Sequence, residues 1–157
     1  MAKTLIVDDY PLMRSLLRVR LGEMGCDIHS EASTVAEAKE ALEQNKFDLV
    51  TLDVLMPTKG EVDTFELFCS IRRQSPKTRI VVLSGLNHSR YVDAYLRYGA
   101  VDYFLKPVDF YALSARLREH LPHLKLIQQP KSKSSNLAKL PEYVLDLPTV
   151  PWRSSLA

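Results

Sequence analysis

Leu49-Val50-Thr51-Leu52-Asp53-Val54-Leu55-Met56-Pro57 decides how this chain folds, because an apolar run ends there on a carboxylate and is then stopped by a proline. A short run of β-branched bias closed by a turn signal predicts a strand buried on both faces, with Asp53 at its C-terminal tip. In open α/β sheets ligands bind outside those tips. A carboxylate at such a place either caps a turn or serves as a nucleophile or metal ligand. A second acidic tip, Asp8-Asp9, closes the first apolar run Thr4-Leu5-Ile6-Val7, and Lys106 closes the last, Val101-Asp102-Tyr103-Phe104-Leu105. That convergence tips the balance toward chemistry at Asp53.

Outward from this strand, two hydrophobic periods alternate. Residues 3–8 read as a strand, followed by a helix from Pro11 whose apolar positions Met13, Leu16, Leu17, Leu21 and Met24 keep helical spacing up to Gly25. Residues 27–32 form a more polar strand, suited to a sheet edge. Thr34 with Glu37, and Asp63 with Glu66, have capping-box spacing and open helices with inner stripes Val35, Ala38, Ala41, Leu42 and Phe65, Leu67, Phe68, Ile71. Residues 79–83 are a fourth strand, ending on Ser84-Gly85. A helix over 89–98 stops at Gly99, the fifth strand reaches Lys106-Pro107, and Asp109 caps a last helix carrying Phe110, Leu113, Leu117 and Leu121. Five strands alternating with five helices predict a parallel sheet covered on both faces by right-handed crossovers. The expected arrangement is a flavodoxin-like, doubly wound (βα)5 sheet of order 2-1-3-4-5, followed by a C-terminal extension. That order sets the first and third strands side by side and brings Asp8 and Asp9 to Asp53.

Composition narrows the classes. At 157 residues with 46% hydrophobic and 25% charged residues the chain suits one folded domain. No apolar run approaches the ~20 residues of a membrane span, and Met1-Ala2-Lys3 leads directly into a strand, so a cytoplasmic protein without membrane association is expected. Cys26 and Cys69 are too few and too scattered for a disulfide framework or a zinc site. The net charge of +2 divides into +3 for residues 122–157 and −1 for the first 121 residues, which leaves the folded part without the basic footprint of a nucleic-acid reader. Five of the nine prolines and Lys131-Ser132-Lys133-Ser134-Ser135 also fall in residues 122–157, so the expected division is a domain over 1–122 and a proline-rich basic tail over 123–157.

Three carboxylates in one crevice repel one another, and without a counter-charge at least one pKa rises. A hard divalent cation resolves the conflict, and Mg²⁺ fits better than zinc because the donors are oxygens. Lys106 adds a fixed ammonium and Ser84 a hydroxyl. A cation, an ammonium and a hydroxyl are what a phosphoryl group on Asp53 requires, since phosphoryl transfer rests on positioning and charge neutralisation. Asp53 would then be an aspartyl-phosphate nucleophile. Read singly, Lys106 is a salt-bridge partner for the acids and Ser84 a turn residue.

Ile6-Val7-Asp8-Asp9, Asp53-Val54-Leu55-Met56-Pro57, Ser84-Gly85 and Tyr103-Phe104-Leu105-Lys106-Pro107, in this order and spacing, resemble the receiver domain of two-component response regulators of the chemotaxis-regulator type, over about residues 3–121. The resemblance implies that Asp53 is the phosphoacceptor, supplied by a histidine kinase or histidine phosphotransfer protein. It implies Asp8, Asp9, Asp53 and the Leu55 backbone carbonyl as the Mg²⁺ ligands, Lys106 as the phosphate-contacting lysine, and Ser84 with Tyr103 as a switch pair. It further implies a cis Lys106-Pro107 bond and an output surface on the fourth helix, fifth strand and fifth helix, which pairs with a second copy or a downstream protein target. On this reading Ser84 moves toward the phosphoryl oxygens and Tyr103 turns inward behind it; as a plain core aromatic, Tyr103 would not move. The chain would be a signalling module and not an enzyme. A phosphorylation-independent scaffold, or the N-terminal receiver of a longer regulator, is the alternative.

Two features depart from the usual pattern or extend it. Five residues, Thr58-Lys59-Gly60-Glu61-Val62, separate Met56-Pro57 from Asp63-Thr64, three more than usual, and Thr64 stands where receivers usually have glycine. Leu55 and Leu86 flank the site, where apolar side chains would slow hydrolysis of the acyl phosphate. The residues after Pro122 are too few and too proline-interrupted for a helix-turn-helix, so direct DNA reading is not expected. The stretch Leu140-Pro141-Glu142-Tyr143-Val144-Leu145-Asp146-Leu147-Pro148, with Trp152, reads either as a docking segment or as a linker.

Overall fold

A computed structural model describes residues 1–56 and 63–128. The longer loop at 58–62 and the docking segment 140–148 with Trp152 lie outside the described residues. The elements alternate as β1 (Ala2–Val7), α1 (Pro11–Met24), β2 (Cys26–Ala32), α2 (Val35–Gln44), β3 (Leu49–Leu52), α3 (Thr64–Gln74), β4 (Arg79–Ser84), α4 (Ser89–Arg97), β5 (Asp102–Leu105) and α5 (Phe110–His120). All strand pairs are parallel and the sheet order is β2-β1-β3-β4-β5, the flavodoxin-like arrangement that the alternating periods predict.

The three central strands explain their own sequences. Along β1, β3 and β4, Leu5, Val7, Val50, Leu52, Ile80 and Val82 point to one face of the sheet, and Ala2, Ile6, Leu49, Val81 and Leu83 to the other. Successive strand side chains alternate, so a strand covered on both sides has no position left for a polar stripe. The first face is closed by Val35 and Ala38 of α2, Leu67, Phe68 and Ile71 of α3 and Tyr95 of α4; the second by Leu17, Leu21 and Met24 of α1 and Leu113 and Leu117 of α5. The polar strand β2 is an edge, as expected. The other edge, β5, is only half-buried despite its apolar sequence.

Local details differ from expectation in three places. Leu16 is 40% exposed rather than inward, because it lies about 100° around the helix from Leu17 and off the Leu17-Leu21-Met24 stripe. At α2 the Thr34 hydroxyl accepts the Glu37 N–H at 3.1 Å, but the Glu37 carboxylate reaches one residue past the box to the Ser33 N–H and hydroxyl, at 2.6 and 2.9 Å. At α3 the Asp63 carboxylate takes the Phe65 N–H at 2.8 Å instead of the Glu66 N–H. Asp109 caps α5 through the Tyr111 and Ala112 N–H groups. The chain also stays packed beyond residue 122, where the sequence places the tail. Leu124 is buried, the Lys125 N–H donates to the Met24 carbonyl at 2.7 Å, and the Ile127 N–H donates to the Ser114 hydroxyl at 3.1 Å.

Gly99 ends α4 at φ +100, and a Cβ built on it would lie 3.1 Å from Arg72 Nε. Gly99→Ala is therefore expected to cost about 1–2 kcal/mol, the scale of placing an L side chain in left-handed backbone, read as a lower urea midpoint with unchanged slope. An unchanged midpoint would show that Arg72 and the backbone relax at no cost.

Candidate functional site

The parallel sheet sets the C-terminal ends of β1, β3, β4 and β5 along one edge, and the ladder continues one residue past them. The Asp8 N–H donates to the Ala32 carbonyl at 3.0 Å, the Asp53 N–H to the Val7 carbonyl at 2.8 Å, and the Lys106 N–H to the Ser84 carbonyl at 2.8 Å. Backbone bonding thus fixes where each of these side chains starts. Asp8 and Asp53 are buried, at 1% and 5% exposure, while Asp9 is half-buried beside them. One carboxylate oxygen from each of the three lies within 4.8 Å of the others.

The two buried carboxylates are held in the same way. Asp8 Oδ1 accepts the Tyr10 N–H and Asp53 Oδ1 accepts the Leu55 N–H, both at 2.9 Å, so each aspartate closes a turn with the residue two positions on. Their other oxygens converge on a single ammonium: Lys106 Nζ is 2.7 Å from Asp8 Oδ2 and 2.5 Å from Asp53 Oδ2. Capping and chemistry, alternatives in the sequence, are thus compatible, since different oxygens of one carboxylate serve each. Arg14 supports the cluster from α1 by donating to the Asp8 carbonyl at 2.8 Å. The Lys106-Pro107 bond is cis.

Burial pushes the Asp8 carboxyl above the usual carboxylate range, against the opposing hydrogen bonds from Lys106 and the Tyr10 N–H; repulsion from Asp53 is a lesser contribution. The cause therefore differs from the mutual repulsion that the sequence suggests, with desolvation ahead of it. For Lys106 burial works against the ammonium, but the bonds and charges of Asp53 and Asp8 outweigh it and its pKa rises. Lys106 thus carries its charge at neutral pH. A carboxyl with a raised folded pKa stabilises the fold fully below its unfolded pKa and loses that contribution as pH rises through the folded value. In urea unfolding without divalent cation between pH 4 and 7, wild type is expected to lose stability relative to Asp8→Ala as pH rises. A constant difference between the two would rule out Asp8 as the titrating group.

A donor set made only of carboxylate oxygens suits a hard cation, which would share Asp8 and Asp53 with the Lys106 ammonium. Among the described residues, Asp8, Asp9 and Asp53 form a group able to hold a metal ion.

The response regulator receiver domain model matches residues 4–118, which span the whole sheet and the cluster at its edge. The chain belongs to the response regulator receiver domains. This receiver is 32% identical over 133 residues to the response regulator protein PilR of Pseudomonas aeruginosa, a match that covers 85% of this chain and 28% of PilR. It is 31% identical over 105 residues to the chemotaxis protein CheY of Thermotoga maritima, covering 67% of this chain and 85% of CheY. Among solved structures, a two-component response regulator from Clostridium difficile superposes with a TM-score of 0.70 at 27% identity, over 78% of this chain and 97% of that one. The receiver thus spans little more than a quarter of PilR but most of CheY.

The hydroxyls of the other two residues singled out by sequence bond to the Leu86 backbone. Ser84 is fully buried, and its hydroxyl accepts the Leu86 N–H at 3.1 Å. Tyr103 is already turned inward in this structure, with its ring against Tyr95 and its hydroxyl donating to the Leu86 carbonyl at 2.9 Å. Leu86 therefore links the two, its N–H held by one and its carbonyl by the other. No spacing rule points to this link. Leu55 and Leu86 line one cavity with Val54, Thr64, Tyr91 and Tyr95. Among the described residues no helix is long and apolar enough to cross a membrane.

Proposed function

We propose that this receiver takes a phosphoryl group on Asp53 from a histidine kinase or histidine phosphotransfer protein, with Mg²⁺, and passes the event to a protein-binding surface. The observation that supports this most is the convergence of Lys106 Nζ on Asp8 and Asp53, because it assembles a nucleophile, a metal-binding acid and a charge-neutralising group from three strand ends.

An oxygen of the Asp53 carboxylate attacks phosphorus, the P–O bond forms as the P–N bond of phosphohistidine breaks, and the imidazole leaves with the electron pair and takes up a proton. Lys106 offsets the charge gathered on the phosphoryl oxygens. Asp8, Asp9, Asp53 and the Leu55 carbonyl would hold Mg²⁺, which when bound supplies further charge neutralisation at those oxygens. The new group adds about −1.5 to −2 charge and strong acceptors. Ser84 then donates its hydroxyl proton to the phosphoryl oxygens and is drawn toward them, which loosens the bond it accepts from the Leu86 N–H; because Leu86 also holds Tyr103, the change reaches β5 and α4. This alters the exposed face that includes Leu96, Leu105 and Tyr111, where we place the downstream target or a second copy. The donor protein meets α1, where Leu12, Leu16 and Val19 are exposed on the helix that follows Asp8 and Asp9. Neither face carries a role for DNA in this reading, and transmission by a longer regulator would use the same switch.

Incubation with acetyl phosphate and Mg²⁺ tests the proposal. One acid-stable, base-labile phosphate per chain is expected, and borohydride reduction should convert Asp53 to homoserine. No uptake, or a reduced residue elsewhere, would overturn it.

A further inference from the structure

Thr64 opens α3 where receivers usually have glycine, yet its side chain is not idle. The residue is 3% exposed and its hydroxyl donates to the Val54 carbonyl at 3.0 Å. A hydroxyl has one proton to give, and the Asp63 carboxylate, at 3.4 Å and already taking the Phe65 N–H, is the weaker acceptor. The Leu55 N–H, in turn, donates to Asp53 Oδ1 at 2.9 Å. The Val54 carbonyl and the Leu55 N–H are the two ends of one planar amide. That amide is therefore clamped at both edges, by Thr64 on its oxygen and by Asp53 on its nitrogen.

We infer that the Thr64 hydroxyl is a positioning group for the phosphorylation site, acting through the Val54–Leu55 amide on both Asp53 and the Leu55 carbonyl. The inference rests on the reading of Asp8, Asp9, Asp53 and the Leu55 carbonyl as a Mg²⁺ site. An amide tethered only at its nitrogen can rotate through ψ of Val54 and φ of Leu55. Such rotation turns the N–H away from Asp53 Oδ1 and re-aims the next carbonyl, that of Leu55. With the oxygen held by Thr64, Asp53 Oδ1 stays occupied by the amide and Oδ2 stays directed at Lys106, while the Leu55 carbonyl keeps one heading. Glycine at position 64 supplies no such tether, so the clamp is a property of this chain's own sequence. Val54, Leu55 and Thr64 also line the cavity beside the site, so the clamp forms part of its wall.

Isothermal titration of the full chain with Mg²⁺ decides the matter, using wild type, Thr64→Val, Thr64→Gly and Thr64→Ser. Valine keeps the shape and loses the hydroxyl, glycine is the residue that receivers usually carry there, and serine keeps the hydroxyl. The two hydroxyl-free variants are expected to bind Mg²⁺ about tenfold more weakly or worse, as when a group that orients a metal ligand is removed. Thr64→Ser should retain most of the wild-type affinity. Urea midpoints without Mg²⁺ report separately on packing, and a purely structural role would move those and leave the Mg²⁺ affinity alone. Wild-type affinity in either hydroxyl-free variant, or a loss in Thr64→Ser equal to that in Thr64→Val, overturns the inference. Wild type that binds no Mg²⁺ overturns the metal-site reading as well, whereas tight wild-type binding with an unaffected Thr64→Gly overturns the clamp alone.

Discussion

Asp53→Asn is expected to cut phosphoryl uptake from acetyl phosphate by on the order of a hundredfold or more, the scale of removing the reacting group from a catalytic constellation. The substitution is nearly isosteric, and the amide oxygen still accepts the Leu55 N–H that Asp53 Oδ1 accepts now. What disappears is an anionic oxygen able to bond phosphorus. Lys106 loses its contact with Asp53 Oδ2 but keeps Asp8 Oδ2 at 2.7 Å, and one source of repulsion on Asp8 is removed. The folding free energy should therefore change by no more than about 1 kcal/mol, as for most substitutions that neither open a cavity nor strand a charge. The comparison is label retained after acid and lost in base, alongside urea unfolding of both proteins. Equal labelling with unchanged stability would place the acceptor elsewhere, and residual label on Asp8 or Asp9 would measure how far the neighbouring acids can substitute.

Lys106→Met should produce the largest stability change of any single substitution at the site. The Lys106 ammonium faces two carboxylates that are almost completely buried, and its own side chain is 22% exposed. Removing one partner of a buried ion pair costs ~3–5 kcal/mol, and partial exposure of the lysine trims this to about 2–4 kcal/mol. The pH dependence has a definite sign. Because Lys106 has a raised folded pKa, its contribution is present through neutral pH and is lost only as pH rises through that raised value. The difference between wild type and Lys106→Met should therefore be flat through neutrality and close at alkaline pH. Acid narrows it from the other side, since protonating Asp8 removes a charge that the ammonium offsets. Mg²⁺ should raise the urea midpoint of Lys106→Met more than that of wild type, because the cation meets carboxylates with no competing ammonium. A midpoint unaffected by the substitution, with or without Mg²⁺, would mean that the acids hold their charge without Lys106.

Much of this was legible in the residues. The run Leu49-Val50-Thr51-Leu52 reads as a strand covered on both faces, and its abrupt end on Asp53 places a carboxylate at the edge where parallel strands finish. Asp8 and Lys106 follow by the same reading of the first and last apolar runs. Caps at Thr34, Asp63 and Asp109 were legible because a cap is a bond within three residues. Leu16 falls outside the buried stripe because the apolar pattern of α1 is wider than the stripe the sheet covers. The roles of Leu86, which bridges Ser84 and Tyr103, and of Arg14 beneath Asp8 had no local signal, since each depends on backbone groups brought together by the sheet.

The sequence by itself determined which residues stand at strand ends and which faces are apolar, because hydrophobic periodicity and capping act over a few residues. Only the tertiary structure decided how those ends share their bonds. Lys106 Nζ reaches partners 98 and 53 positions away, burial leads over repulsion in raising Asp8, and the Thr64 hydroxyl closes on Val54 across ten positions. Hydrogen-bond geometry and desolvation depend on distances between segments remote in the chain, and those distances exist only once the sheet has assembled.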